Sequence, residues 1–286
     1  MDKYQEAISL FKAPLADAEI TTAVNNLIDV NFKENYNAEA LKTIHSCIDL
    51  TSLTSMDTKE SIMQMVNRVN DLDGERPDVP NVAAICTYPN FVETVKQTLT
   101  VDDVKIASVA AGFPSGQTFM EIKIAELSMA QMEGAEELDI VLNLPYFFEE
   151  NYEEMCLEIS ELKQACRGAA LKVILETGAL TTAKNIHEAA ILAIYSGADF
   201  IKTSTGKGYL GASHEAVYTL CQLLKAYKQQ TGKMVGLKIS GGISTAEEAV
   251  KHYTIVKEIL GVEWLNPTYL RFGASILSAN ILSTIA

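Results

Sequence analysis

The chain has 286 residues, 48% of them hydrophobic and 21% charged, which excludes a disordered chain and is long enough for a large core. Its 37 acidic and 23 basic side chains give a formal net charge of −14, with no basic patch of the kind a nucleic-acid binder shows. Five cysteines at irregular spacing, with no C-x-x-C, argue against a disulfide framework or a zinc cluster.

The N-terminus, Met1 to Glu6, lacks the basic and apolar regions of a signal peptide. No apolar run approaches the ~18 residues of a membrane span. No membrane association and a cytoplasmic location are therefore expected. Residues 1–45 read as a polar, helical extension with apolar spots at Ile8, Leu10, Phe11, Ile20, Val24, Leu27 and Ile28. His45, His187, His214 and His252 form no H-x-x-x-H pair and read as ordinary helix or surface histidines, so no metal is expected.

From residue 46 to residue 286 a βα rhythm takes over. The eight strand candidates are Cys47–Leu53, Val82–Thr87, Lys105–Ala110, Glu137–Leu142, Leu171–Glu176, Phe200–Ser204, Val235–Ser240 and Glu263–Phe272, the last interrupted by Pro267. Helical spacing fills the gaps. It is seen at Ile62, Met65, Val66 and Val69, at Ile122, Ala125, Leu127, Met129 and Met132, and at Leu157, Ile159, Leu162 and Ala165. Asp71–Asn81 reads as a surface loop, and capping boxes are expected at Thr118–Glu121 and Ser244–Glu247. Eight such units fit an α/β fold of the closed (β/α)8 TIM barrel type better than an open doubly wound sheet, and place the chemistry at the C-terminal ends of the strands.

Parallel strands are buried on both faces and should be apolar. Four of these carry charges: Asp139 on the fourth, Lys172 on the fifth, Lys202 on the sixth and Lys238 on the seventh. An unpaired buried charge costs several kcal/mol, so a structural ion-pair network is one explanation. Catalysis is the other. Burial and a neighbouring cation both lower a lysine pKa, and a neutral amine attacks a carbonyl to form a Schiff base. Asp139 is placed to hold the second cation and relay protons.

Glycine-rich turns follow the late strands: Thr203-Ser204-Thr205-Gly206-Lys207-Gly208, Ser240-Gly241-Gly242-Ile243-Ser244, and Phe272-Gly273-Ala274-Ser275. Such turns expose backbone N–H groups to a phosphate. Gly206 to Gly211 also matches G-x-G-x-x-G, but the next strand carries Lys238 where a dinucleotide site wants an acid, so no dinucleotide cofactor is expected.

At these residues the sequence resembles the deoxyribose-phosphate aldolases, class I aldolases on a (β/α)8 barrel. The resemblance runs from about Cys47 to Ser278. Its most specific segment is Asp199 to Lys207, supported by Cys47–Leu53, Ser108–Pro114, Leu171–Gly178 and Arg271–Ser275. It implies reversible cleavage of 2-deoxy-D-ribose 5-phosphate to acetaldehyde and D-glyceraldehyde 3-phosphate without a cofactor. Lys202 would form the imine, Lys238 would depress its pKa, and Asp139 would serve the proton relay. Lys172 would lie in the same pocket, paired with Asp139. Asp49 and Thr51 would bind substrate hydroxyls, and Cys86 matches a pocket position. Thr205, Gly206, Lys207, Gly241, Gly242, Ser244, Gly273 and Ser275 complete the expected substrate-binding set. The partners implied are sugar-phosphate and aldehyde substrates, and a homodimer is compatible with the resemblance.

This sequence departs from the family pattern at four places. Ile239-Ser240 replaces Pro-Ala after the seventh-strand lysine. Ser244 replaces an arginine, Ile276 replaces a hydroxyl residue, and Ala286 stands where some members continue into a tail ending in tyrosine. Phosphate recognition and proton transfer are the functions these changes touch. A transaldolase-like barrel is the competing enzyme. A non-catalytic sugar-phosphate-binding barrel is the competing binder, although a binder needs no neutral amine.

Overall fold

The computed structural model describes residues 2–285. Met1 and Ala286, the outer ends of the two expected segments, lie outside the described residues. Eight strands form one closed, all-parallel barrel in sequential order: β1 (Ile48–Thr51), β2 (Ala84–Thr87), β3 (Lys105–Val109), β4 (Glu137–Val141), β5 (Ala170–Ile174), β6 (Phe200–Lys202), β7 (Gly236–Ser240) and β8 (Leu270–Ala274). Strands β1 and β8 close it, with Ile48 opposite Phe272 and Asp49 opposite Gly273. The main apolar core joins outward-facing strand residues such as Ile140, Val173, Ile201 and Ile239 to the surrounding helices. Among the described residues no helix is long and apolar enough to cross a membrane.

Three helices precede β1. Lys3–Ser9 packs on Ala183–Tyr195. Asp17–Asn35 lies across His214–Thr231 and Ala246–Leu260, burying Ile20, Val24 and Ile28 in its i, i+4, i+8 stripe. Ala38–Ser46 leads into the first strand and is capped by Asn37, whose side chain accepts from the Ala40 N–H at 3.0 Å.

Local expectations fail at several places, each for a physical reason. The eighth strand begins only at Leu270. Val262–Trp264 is a 3-10 turn, and Pro267 bends the chain beneath β8, where its carbonyl accepts from Arg271 Nε. The fifth strand stops at Ile174, and Glu176 is left-handed with φ 56°. Asp71–Glu75 belongs to the helix Lys59–Glu75, which ends at Arg76 because that residue precedes a proline. Thr118 caps nothing: Phe119 stands at the N-cap of Met120–Glu133 and makes no side-chain cap bond. On the next expected box the cap is Thr245, accepting from Glu248 N–H at 3.2 Å, which leaves Ser244 outside the helix. Finally, Ile122, Met129, Met132 and Leu157 are exposed. The inward stripe of Met120–Glu133 is Lys123, Leu127 and Ala130. Lys123 is accommodated there by Glu158 at 2.7 Å, beside Leu127 and Ala130.

Candidate active site

Seven charged side chains fill the barrel interior. Asp49 comes from β1, Glu137 and Asp139 from β4, Lys172 from β5, Lys202 from β6, Lys238 from β7 and Arg271 from β8. Neighbouring strands in register set their order: Asp139 lies opposite Lys172, and Lys202 opposite Lys238, itself opposite Arg271. At the floor, Arg271 donates to Asp49 Oδ1 at 2.6 Å and grips both oxygens of Glu137 at 2.7 and 2.9 Å. Lys172 donates to Glu137 at 2.6 Å and to Asp139 Oδ1 at 3.2 Å, with Asp49 at 3.6 Å. Lys238 sits between Asp49 Oδ2 at 2.5 Å and Asp139 Oδ2 at 2.7 Å. Lys202 donates to the same Asp139 oxygen at 2.8 Å.

The balance of this cluster is four bases against three carboxylates. One proton is in surplus, and the contacts say where it is held most weakly. Lys172 has three carboxylates within reach, Lys238 and Arg271 two each, and Lys202 one. Burial lowers the pKa of every amine, since desolvation penalises the charged form. For Lys238 the pull of Asp139 and Asp49 outweighs burial, and its pKa rises. The same holds for Lys172, through Asp139, Glu137 and Asp49. For Lys202 burial prevails over the single pull of Asp139, the Lys238 charge adds to it, and the pKa falls below the ordinary lysine value. Burial alone would raise the Asp139 carboxyl, but Lys172, Lys202 and Lys238 hold it well below the carboxylate range, so it is an anion. Lys238, Lys172 and Lys202 thus share one carboxylate, and of the three amines only Lys202 has its pKa lowered.

Lys202 is also the amine of this cluster that reaches the outside. A cavity of about 440 Å³ opens above it at the C-terminal ends of the strands. Thr51 and Lys202 line it from below, and Thr205, Gly206 and Lys207 line one wall. The facing wall is Gly241, Gly242 and Ser244, with Gly273, Ser275 and Ile276 completing the rim. The glycines have steric reasons. Gly241, with φ +93°, lies so close to the preceding turn that a Cβ would stand 2.7 Å from Gly211 Cα; at Gly273 it would meet Ser240 Cβ at 2.9 Å and crowd the Lys238 stem at 3.2 Å. The lining carries no carboxylate, imidazole or thiol, so it offers a metal no anionic ligand.

Of the residues expected to bind substrate, Thr51, Thr205, Gly206, Lys207, Gly241, Gly242, Ser244, Gly273 and Ser275 lie on this cavity. Three others, Asp49, Lys172 and Cys86, lie beneath it, beside the expected proton-relay residue Asp139. Asp49 is fully buried, with one oxygen on Arg271 and the other beside Lys238, so its carboxylate faces the floor rather than a substrate hydroxyl. Lys172 and Asp139 are paired, as just described. Cys86 packs with Leu53, Ala84, Ala107 and Val109 in a small dry cluster, where burial raises its thiol pKa.

Three charged residues of the site escape the sequence reading. Glu137 and Arg271 fall at or near strand starts, where a charge normally reaches water, yet here they close the barrel floor. Glu176 reads as the end of a strand. Its left-handed backbone instead turns the carboxylate inward, 2% exposed, to accept the N–H of Thr205 at 3.3 Å and the Thr205 hydroxyl. Burial raises the Glu176 pKa. The signal that could have found Glu137 is charge balance: three lysines and one aspartate leave two cations to be matched, and Asp49 matches only one of them; nothing of that kind points to Arg271.

Residues 43–277 match the family described as DeoC/LacD family aldolase. The chain is 35% identical over 260 residues to the human deoxyribose-phosphate aldolase, covering 87% of this chain and 81% of that one. It is 35% identical over 259 residues to the mouse enzyme of the same name, with the same coverage. The solved deoxyribose phosphate aldolase of Aeropyrum pernix, described as a tetramer, superposes with a TM-score of 0.67 at 25% identity, over 89% of this chain and 96% of that one.

Proposed function

This chain belongs to the DeoC/LacD family of aldolases, and from that premise we propose that it cleaves 2-deoxy-D-ribose 5-phosphate reversibly through an imine on Lys202. One observation carries this reading. Of the interior amines, Lys202 alone both lines the cavity and has a lowered pKa. The neutral Lys202 amine adds to the C1 aldehyde of the open-chain sugar, and loss of water gives the protonated imine. Removal of the C3 hydroxyl proton sends the C2–C3 bonding pair into an enamine and releases glyceraldehyde 3-phosphate. Protonation at C2 and hydrolysis then release acetaldehyde and restore the amine. Lys238 keeps its proton and its charge. Asp139, bonded to both amines through one oxygen, orients them and serves the relay that moves protons between Lys202 and the substrate.

The glycine turns support the phosphate end. Gly206, Gly241, Gly242 and Ser275 line the cavity, their backbone N–H groups would receive the phosphate, and Lys207 is an exposed cation among the lining residues. In this reading residues 46–286 carry the chemistry, and residues 1–45 buttress the helices behind β6 and β7. The test is product analysis. Incubation with 2-deoxyribose 5-phosphate should release acetaldehyde and glyceraldehyde 3-phosphate in equal amounts. Transfer of a three-carbon unit between sugars without free acetaldehyde would favour the transaldolase-like alternative.

A further inference from the structure

A second cluster of chemistry-bearing side chains lies outside the barrel, where the helix after β6 meets the helix after β7. His214 is the first residue of His214–Thr231, while Glu248 and His252 lie one turn apart on Ala246–Leu260. Their ligand-type atoms all lie within 4.8 Å of one another. His214 Nε2 is 3.0 Å and His252 Nε2 3.6 Å from the same Glu248 oxygen, Oε1. The two imidazoles meet edge to face with centroids 4.8 Å apart.

Hydrogen bonding does not account for this arrangement. His252 is fully buried, and neither of its ring nitrogens has a hydrogen-bond partner. His214 Nε2 is likewise buried and unpartnered despite its approach to Glu248. A buried imidazole without partners costs free energy that a structure rarely tolerates. Lys251 does not fill the place: its ammonium goes to Glu247 at 2.8 Å and stays 3.9 Å from the other oxygen of Glu248.

We propose that His214, Glu248 and His252 bind a divalent transition-metal cation of the Zn2+ class, which staples these two helices together. The spacing fits. With metal–ligand bonds of ~2.0–2.1 Å, the ligand atoms of a tetrahedral site stand roughly 3.3 Å apart, and the two measured separations bracket that value. Two imidazoles and one carboxylate suit Zn2+, Co2+ or Ni2+, and are wrong for Ca2+ or Mg2+, which take oxygen ligands. His214 and Glu248 are 23% and 35% exposed, so an ion has an entry path and a fourth position for water. The site is structural, because none of its three ligands lines the cavity above Lys202. Its ligands nevertheless follow directly on the turns that line the cavity: Ala212 N–H, two residues before His214, donates to the carbonyls of Ser240 and Gly241. A bound ion would hold the two turns in register from behind.

The experiment uses chelator-dialysed full-length protein titrated with Zn2+ by calorimetry, with Co2+ by visible absorption, and with Zn2+ in thermal melts. The expected result is one saturable site, the strong visible bands of four-coordinate Co2+, and a melting temperature that rises with Zn2+. His214→Ala and Glu248→Gln should each weaken the affinity by at least about 100-fold, beyond the range typical of lost outer-shell partners, and remove the rise in melting temperature. Both residues are partly exposed, and cooperative melting of each apo variant confirms that it is folded. Absence of saturable binding in the parent would overturn the proposal. So would binding that survives both substitutions, or a six-coordinate Co2+ spectrum with no stabilisation.

Discussion

Lys202 and Lys238 are the same residue type on adjacent strands, yet their surroundings push them in opposite directions. The lysine with two carboxylates has its pKa raised, and the one that shares a single carboxylate with two other amines has its pKa lowered by burial. The sign of the pH effect follows. Attack on the aldehyde needs neutral Lys202, so kcat/KM should climb as pH rises through its lowered pKa. Lys238→Leu removes the neighbouring cation and leaves Asp139 to pull on Lys202 more strongly. The Lys202 pKa should rise and the ascending limb should move to higher pH, read from the pH dependence of kcat/KM. An active Lys238→Leu enzyme with an unmoved limb would contradict the electrostatic role. Asp139→Asn should slow turnover by about 10²–10⁴-fold, the usual span for a group that moves protons, and steady-state kinetics at fixed pH would measure it.

At the scale of elements, the turns after β6, β7 and β8 wall the cavity above Lys202 and, in the proposed function, receive the phosphate end. Ser244 lines the cavity just before the Thr245 cap, and Ile276 lines it just before the last helix, Leu277–Thr284. Ser244 lacks the charge and Ile276 the hydroxyl that the resemblance implies there, so in the proposed function phosphate is held chiefly by backbone N–H groups and Lys207. Ser244→Arg should therefore raise the preference for 2-deoxyribose 5-phosphate over unphosphorylated 2-deoxyribose by about 10–100-fold, since a charge-assisted contact is worth ~1.5–3 kcal/mol. The ratio of the two kcat/KM values measures it, and an unchanged ratio would mean that position 244 does not face the phosphate. The turns were legible in the sequence because glycine-rich runs follow three successive strand candidates. The strands were legible as short apolar, β-prone runs, and the ion cluster because charges interrupt four of them. Their ends were less so. Pro267 sits below β8 rather than within it, and Glu176 leaves β5 through a left-handed turn that carries no local signature. The helix Met120–Glu133 misleads because Lys123, a residue expected outside, is inside with Glu158. The His214–His252 pair was invisible for a related reason: a spacing search finds ligands on one helix, and these come from two.

For the molecule as a whole, the barrel interior is an ionic core rather than an apolar one, and that sets its acid limit. Burial opposes the charged forms of Asp49, Glu137 and Asp139, but the surrounding cations outweigh it and hold all three pKa values below the ordinary range. Groups with depressed folded pKa values contribute stability above their unfolded pKa of ~4 and lose it as pH falls toward the folded values. Urea unfolding midpoints should accordingly drop between about pH 5 and pH 3. Arg271→Leu strands Glu137 and part of Asp49, and should cost about 3–5 kcal/mol at neutral pH while flattening that acid dependence. A midpoint unchanged at neutral pH would show that the floor of the barrel does not need the guanidinium. The same charge count, four bases for three acids, makes Lys202 the amine able to react, and this is the claim on which the functional account rests. Its most direct measurement is borohydride reduction of the enzyme in the presence of acetaldehyde, followed by peptide mapping. The account predicts a single two-carbon adduct on Lys202, absent in Lys202→Ala. An adduct on Lys238 or Lys172, with Lys202 unmodified, would contradict it.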